Sequence, residues 1–180
     1  MPLTFITGNL GKAEELQRGL SLHVDHIKID LEEIQSLDLE EVVLHKTKEA
    51  YRKLKKPIIT EDTALIFESF NRLPGPLIKW FLKDMKNEGL CNILDNFASR
   101  KATALSMFGY TDGVIFKTFA GEIEGKIATE PRGSNGFGWD AIFIPNGSAK
   151  TFAEMNQPEK DQFSMRGLAL KKLKQYLLKK

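Results

Sequence analysis

The chain has 180 residues and a formal net charge of +2, from 26 basic and 24 acidic side chains. This length fits a single domain over residues 1–180, and 42% hydrophobic residues can supply the core of a globular protein. The near-balanced charge gives no broad positive field for a stable complex with nucleic acid. A single cysteine, Cys91, excludes an internal disulfide and a cysteine-rich metal cluster and favours the cytoplasm. The longest uncharged stretch, residues 1–11, is too short for a membrane span.

The first third of the chain alternates between strand and helix patterns. Hydrophobic spacing and turn residues predict a strand over Pro2–Thr7 closed by Gly8-Asn9, a helix carrying Ala13, Leu16 and Leu20, a strand over His23–Ile29, a helix from Leu39 that Pro57 ends, and a strand beginning with Ile58–Thr60.

The rest of the chain adds a hairpin to this pattern. We expect a rigid turn at Leu73–Pro76, a helix from Pro76 toward Asn87, a helix over Gly89–Phe97, a hairpin over Ala102–Gly125 turning at Thr111–Gly113, a strand over Ala141–Ile144, and a last helix carrying Phe163, Leu170, Leu173 and Leu177. The order of elements predicts a mixed α/β fold with antiparallel strands inserted between βα units.

The first candidate site is the segment Thr7-Gly8-Asn9-Leu10-Gly11-Lys12. A strand that turns through glycine into a helix presents backbone N–H groups and a positive helix end to an anion such as phosphate. The segment is not a Walker A loop, because its two glycines are too close together and Ala13 follows the lysine. The alternative is a capped helix beginning at Asn9 with a solvated Lys12.

A pair of carboxylates, Glu61-Asp62, follows the apolar strand. We expect them at the end of the strand, where α/β sheets present groups to ligands, and oxygen ligands of this kind suit Mg²⁺ in phosphate chemistry. Side chains alternate along a strand, so the two neighbours cannot both face one metal ion. Asp62 and a distant acid such as Glu33 form the better pair; the alternative is surface charge.

The stretch Pro131–Asp140 surrounds two aromatic residues with glycines and polar loop residues. Phe137, flanked by glycines, is the candidate for stacking on a flat heterocycle, while Asp140 or backbone groups read its edge. We expect Trp139 to be a core residue. Further isolated cations are Lys46, Lys79, Lys160 and Arg166, and Arg166 should lie just before the last helix.

Several classes of chemistry have no candidate residues. The three histidines fit no zinc-binding spacing, and no G-x-S-x-G nucleophile motif occurs. The lysine-rich end, Lys171–Lys180, is better interpreted as a solvated helix face than as a membrane or nucleic-acid tail. Covalent catalysis is therefore not expected.

Together these motifs resemble the inosine triphosphate pyrophosphatase family, also called the non-canonical purine NTP pyrophosphatases. The likeness extends over nearly the whole chain, and the order of the motifs makes it specific. It rests on Thr7-Gly8-Asn9 with Lys12 and Glu15, on Glu61-Asp62-Thr63, on Leu73–Phe81, on Pro131–Gly133 followed by Gly136–Asp140, and on Thr151–Met155 with Lys160.

The resemblance implies a Mg²⁺-dependent hydrolase that cuts ITP, dITP and XTP between the α and β phosphates and so cleanses the nucleotide pool; whether Mn²⁺ can replace Mg²⁺ stays open. It implies a long twisted mixed β-sheet flanked by helices, with two lobes around a central nucleotide-binding cleft, and a homodimer.

The resemblance also implies roles for individual residues. Lys12, Lys46 and Asp62 are the catalytic set, Glu33 and Asp62 serve the metal, and Asp62 could instead orient or deprotonate the attacking water. The substrate would be bound by Thr7, Gly8, Asn9, Lys12, Thr63 and Lys79 and, around the base, by Phe137, Gly138, Trp139, Asp140, Lys160, Ser164 and Arg166.

One departure from the family pattern concerns substrate selectivity. Most members have Ser-His-Arg where this chain has Ser164-Met165-Arg166. Methionine cannot donate a hydrogen bond to a carbonyl, so we expect weaker discrimination between inosine and adenine or guanine. Two other readings stay open at this point: a Maf-type nucleotide pyrophosphatase with a different base specificity, and a catalytically silent nucleotide-binding protein.

Overall fold

The computed structural model describes residues 3–179 and has a mixed α/β architecture. Its strands are β1 (Thr4–Ile6), β2 (Asp25–Ile27), β3 (Ile58–Phe67), β4 (Pro74–Gly75), β5 (Lys101–Thr111), β6 (Phe116–Ile127) and β7 (Phe143–Pro145). Its α-helices are α1 (Leu10–Leu20), α2 (Leu39–Leu54), α3 (Ile78–Asn92), α4 (Gln157–Asp161) and α5 (Met165–Leu177). The predicted fold class is confirmed.

The strands form one seven-stranded mixed sheet with the order β2-β1-β3-β5-β6-β7, and β4 pairs with β3 off this path. The β1 strand runs parallel to both β2 and β3, whereas β3–β4 and β6–β7 are antiparallel. The predicted hairpin corresponds to β5 and β6, which are neighbours in the sheet and are joined by residues 112–115.

The chain divides into two compact units, and neither is a continuous stretch of sequence. The first is drawn from residues up to Thr63, from Ser106–Gly121, and from Arg166 onward. Its main apolar cluster joins α1 and α5 side chains, among them Leu16, Leu20 and Leu173, to residues of the sheet.

The second unit comprises Ala64–Leu105 and Glu122–Met165. Its apolar cluster includes Leu65, Phe67, Trp139, Phe143 and Phe152. Trp139 is 7% exposed, and its ring meets that of Phe143 edge-on. The expectation that Trp139 is a core residue is confirmed.

Several predicted boundaries are wrong. The β3 strand runs ten residues, well past Thr60. Its far end pairs with β4 at Leu65 and Ile66, and β5 is its neighbour in the sheet. Helix α3 starts at Ile78 rather than at Pro76. Non-helical backbone at Lys86 divides it into two helical segments, close to the expected boundary between a helix toward Asn87 and one from Gly89, although the second segment ends at Asn92 rather than at Phe97. Pro2 lies outside the described residues. Within residues 3–179, none of the helices is both long and apolar enough to cross a membrane.

Candidate active site

The N-terminus of α1 is built by local hydrogen bonds. The Asn9 side chain accepts a hydrogen bond from the backbone N–H of Lys12 at 3.1 Å, which makes Asn9 the N-cap of the helix. The Thr7 hydroxyl accepts from the backbone N–H of Asn9 at 3.0 Å. Gly8 is exposed between them. The capped helix expected as the alternative is present, but Lys12 is not solvated: its side chain is 16% exposed.

Lys12 belongs to a group of buried charges centred on Glu61. The Lys12 Nζ lies 3.0 Å from Glu61 Oε2, and the Arg166 Nε donates to Glu61 Oε1 at 2.9 Å. The Ser106 hydroxyl donates to the same Oε1 at 2.8 Å, and Arg166 also bonds Glu15 through its Nη1. Two cations and two carboxylates are thus joined in one network in the first unit.

The side chain of Glu61 is fully buried but is held ionised by its neighbours. Burial by itself would raise the pKa of this carboxyl. The positive charges of Arg166 and Lys12, with their hydrogen bonds, outweigh burial and lower the pKa of Glu61 to about 2. Burial would likewise lower the pKa of Arg166, but the charges of Glu61 and Glu15 raise it. Glu61 and Arg166 are therefore both charged at neutral pH.

The second group of charges in the first unit is centred on Lys46 of α2. Its Nζ lies 3.2 Å from Asp62 Oδ2 and 3.9 Å from Glu33 Oε1. Burial lowers the pKa of Lys46, yet Asp62 and Glu33 raise it above its ordinary value, so the ammonium stays charged. The backbone N–H of Thr63 donates to Asp62 Oδ1 at 2.9 Å.

The expected position of Glu61-Asp62 at a strand end is wrong, because both residues lie within β3. The expected alternation is confirmed: the Glu61 side chain is fully buried, whereas that of Asp62 is 27% exposed. One strand therefore places one carboxylate in the Lys12 group and the next in the Lys46 group. Asp62 and Glu33, the pair expected to serve a metal ion, both approach the Lys46 ammonium.

The Asp62 and Glu33 carboxylates fit a magnesium site in their chemistry. Both offer oxygen ligands, and both are partly open to solvent, with Glu33 42% exposed. Mg²⁺ keeps several waters and is bound by one or two carboxylates together with substrate phosphates. Among the described residues, no group of three or more His, Cys, Asp and Glu side chains could hold a metal ion, and the Mg²⁺ pattern requires none.

In the second unit, a buried ion pair organises the loop that contains Phe137. The Lys160 Nζ lies 2.8 Å from Asp140 Oδ2, and both residues are 6% exposed. The same oxygen accepts the backbone N–H of Phe137 at 2.9 Å. The Lys160 ammonium also lies 5.6 Å from the centroid of the Phe137 ring, within the range of a cation–π contact.

The other site residues expected from the sequence differ in how far they are buried. Ser164 is half-buried, whereas Met165 is 3% exposed within the apolar cluster of the second unit. Lys79 is exposed, and its ammonium lies 5.4 Å from the centroid of the Trp80 ring. Arg166 does not precede the last helix as expected; α5 begins at Met165, so Arg166 is in its first turn.

The sequence did not indicate the network that joins Glu61 to Arg166, Glu15 and Ser106. Arg166 is 105 residues from Glu61 along the chain, and no local pattern encodes that contact. The one usable signal was alternation, which places Glu61 on the face of β3 opposite to Asp62. A carboxylate in the middle of an apolar strand needs a buried cation as a partner.

A profile of the Ham1 family matches residues 3–176, which is nearly the whole chain. The chain belongs to the Ham1 family. Inosine triphosphate pyrophosphatase 2 of Trypanosoma cruzi is 42% identical over 177 residues, covering 96% of this chain and 90% of the relative. Inosine triphosphate pyrophosphatase of Yarrowia lipolytica is 43% identical over 187 residues, covering 100% of this chain and 97% of the relative.

Archaeal and bacterial members extend the similarity. The dITP/XTP pyrophosphatase of Methanopyrus kandleri is 39% identical over 180 residues, covering 98% of this chain and 96% of the relative. Among solved structures, a HAM1 protein of Coxiella burnetii superposes with a TM-score of 0.87 at 27% identity, and each chain is covered completely. The Ham1 protein of Staphylococcus aureus gives 0.83 at 28% identity, with 97% of each chain covered. The family named from the sequence is confirmed.

Proposed function

We propose that this chain is a nucleoside triphosphate pyrophosphatase that hydrolyses ITP, dITP and XTP to the monophosphate and pyrophosphate. The observation that carries the proposal is the Lys46–Asp62–Glu33 group, in a chain that aligns over nearly its full length with pyrophosphatases of these nucleotides. Hydrolysis at phosphorus needs neutralised charge and an aligned water more than a nucleophilic side chain, so this group suffices without a serine or cysteine.

Lys12 and Lys46 are proposed to bind the phosphates. Each is held by a carboxylate, Lys12 by Glu61 and Lys46 by Asp62. A lysine fixed in this way loses less side-chain entropy when it meets a phosphate than a mobile surface lysine does. The capped N-terminus of α1 at Asn9 adds backbone N–H groups for the same anion.

Asp62 and Glu33 are proposed to hold Mg²⁺, which supplies neutralisation of phosphate charge when it is bound. The second proposed task of Asp62 is to hold the attacking water at a carboxylate oxygen and to accept its proton. The Lys46 ammonium, 3.2 Å from Oδ2, fixes the direction of that carboxylate. Thr63 fixes the other oxygen through its backbone N–H.

The loop with Phe137 is proposed to bind the base, with the Phe137 ring stacking on the purine. Lys160 and Ser164, in the same unit as Phe137, are proposed as donors to the 6-keto group. Adenine carries a donor at that position, and an unpaired buried donor costs about 1–3 kcal/mol. Rejection of ATP should therefore be stronger than rejection of GTP. We further propose a homodimer, from the family resemblance, and a cytoplasmic location, from the single cysteine.

The experiment that tests the proposed function is a product assay on ITP, XTP, dITP, GTP, ATP and dTTP, each with and without Mg²⁺. We expect pyrophosphate, rather than orthophosphate, from ITP, dITP and XTP, and only with the metal. Turnover of dTTP alone would indicate a Maf-type enzyme. Orthophosphate would indicate a phosphatase, and tight binding of ITP without turnover would indicate a silent nucleotide-binding protein.

Restoring the family histidine tests the selectivity argument. Met165→His introduces a ring that can donate to a carbonyl. We expect the ITP/ATP and ITP/GTP ratios of kcat/KM to rise by about 5- to 10-fold, the effect of one additional hydrogen bond. Because Met165 is buried, thermal unfolding must accompany the kinetics, and Met165→Leu is the matched control. Unchanged ratios in a folded Met165→His variant would show that this position does not set selectivity.

A further inference from the structure

Helix α3 is broken at Lys86, close to the boundary expected between two helices, but the break falls on a lysine rather than on the nearby Gly89. Lys86 has φ 59° and ψ −178° within the helix, a combination that only glycine adopts without strain, so a residue with a side chain is strained there. The Lys86 ammonium donates to the carbonyl of Lys83 at 2.9 Å, which satisfies one backbone acceptor at the break. Such strain persists when another contact requires the local conformation.

The residue after the break makes such a contact. The Asn87 Nδ2 donates to the carbonyl oxygen of Gly138 at 3.0 Å, across 51 residues of sequence. The Oδ1 of the same amide is buried and has no hydrogen-bond partner among the described residues. Turning the amide over would point that oxygen at the Gly138 carbonyl, so the carbonyl fixes the orientation of Asn87.

Gly138 follows Phe137 in a loop whose first part is held by the Asp140 carboxylate. Asp140 accepts the backbone N–H of Phe137, and a Cβ added to Gly136 would lie 2.1 Å from the Asp140 carboxylate. The Asp140 carboxylate therefore fixes the first part of the loop, residues 136 and 137. The Asn87 amide holds the carbonyl of Gly138, the residue that follows Phe137.

We propose that Asn87 is a positioning residue for base recognition: the break at Lys86 presents its amide to the Gly138 carbonyl, which fixes the loop that carries Phe137. The inference rests on the proposed function, because it takes the Phe137 ring to be the surface on which the purine stacks. Asn87 itself need not touch the nucleotide.

The first test measures the loop without any nucleotide. Hydrogen–deuterium exchange of residues 136–140 is compared in wild type, Asn87→Ala, Asn87→Asp and the neighbouring control Glu88→Gln. We expect exchange at least fivefold faster in both Asn87 variants and unchanged in the control. Asn87→Asp matters because it keeps the size of the side chain while removing the donor, so a cavity cannot explain the result. Unchanged exchange in both variants would overturn the proposal.

The second test separates base recognition from phosphate recognition. Binding of IMP and of pyrophosphate, the two products of the proposed reaction, is measured by calorimetry for the same variants. We expect IMP affinity to fall about 5- to 10-fold, as for the loss of one hydrogen bond, with pyrophosphate affinity unchanged. The KM for ITP should rise by a similar factor while kcat stays within about twofold, because binding in the ground state and the transition state is lost equally.

Each remaining outcome decides the question. Equal losses for IMP and pyrophosphate, or a fall in kcat without a change in KM, would indicate a general structural role and contradict the proposal. A further variant, Lys86→Gly, relieves the backbone strain and keeps the break, so thermal stability should rise with IMP affinity unchanged.

The wild-type protein separates this inference from the proposed function. If it neither binds IMP nor releases pyrophosphate from ITP, the proposed function fails, and the nucleotide part of this inference fails with it. The exchange data then decide alone whether Asn87 holds the loop.

Discussion

Asp62→Asn is expected to reduce kcat for ITP by about 10²–10⁴-fold, the contribution typical of a general base. The substitution keeps the shape of the side chain and removes its negative charge, so it removes both proposed tasks: acceptance of a proton from water and binding of Mg²⁺. The side chain is 27% exposed, so the fold should survive the change. The measurement is initial-rate kinetics with pyrophosphate detection, beside a thermal unfolding curve.

The two tasks of Asp62 can be separated by metal binding. Titration with Mn²⁺, followed by electron paramagnetic resonance without nucleotide, reports the metal directly. A metal ligand predicts weaker Mn²⁺ binding in Asp62→Asn and in Glu33→Gln. If Asp62 acts only as the base, Mn²⁺ binding is unchanged in Asp62→Asn while kcat still falls. Asp84→Asn, on the exposed surface of α3, is the control. Full activity of Asp62→Asn would contradict both tasks.

The parts of the fold that short-range patterns determine could be predicted. The apolar spacing along α1 and α2 and the turn between β5 and β6 depend on neighbours within a few residues, and these elements lie where they were expected, within a few residues. The end of β3 could not be predicted, because carboxylates are rare in strands and favour a boundary after Thr60. Pairing with distant strands overrides that local preference.

The same distinction applies to the candidate site. The cap at Asn9 and the alternation of Glu61 and Asp62 follow from local geometry and were predictable. The ion pair of Lys12 with Glu61 and the hydrogen bond of Asn87 to the Gly138 carbonyl join residues that are far apart in the chain. Both are tertiary contacts, and a lysine at a position suited to glycine carries no signal in the sequence.

Glu61→Gln is expected to have the largest effect on stability. Removal of the charge leaves Lys12 and Arg166 with one acid fewer in a buried network. Breaking a buried ion pair by neutralising one partner costs about 3–5 kcal/mol. The pKa of Glu61 gives a similar cost. The pKa is lowered from its ordinary 4.5 to about 2, and at 1.36 kcal/mol for each pKa unit this corresponds to about 3 kcal/mol of stabilisation.

The pH dependence of this effect has a definite sign. The pKa of Glu61 is lower in the folded than in the unfolded chain, so between pH 4.5 and about 2 the unfolded chain binds more protons. The stabilisation by Glu61 is complete above pH 4.5 and is lost as the pH falls toward 2. The free energy of unfolding of wild type should therefore exceed that of Glu61→Gln by about 3 kcal/mol at pH 7. The two free energies should converge near pH 2.

Urea unfolding of both proteins at pH 7, 5, 4 and 3 measures this difference. Glu14→Gln, at an exposed position of α1, is the matched control. Its free energy of unfolding should differ from that of wild type by a small amount that does not change with pH, as for other surface substitutions. A difference for Glu61→Gln that does not shrink below pH 4.5 would mean that packing, rather than charge, explains the loss. If the ionised carboxylate holds Lys12 in place for the phosphates, the KM for ITP should rise in Glu61→Gln at pH 7, where the protein remains folded.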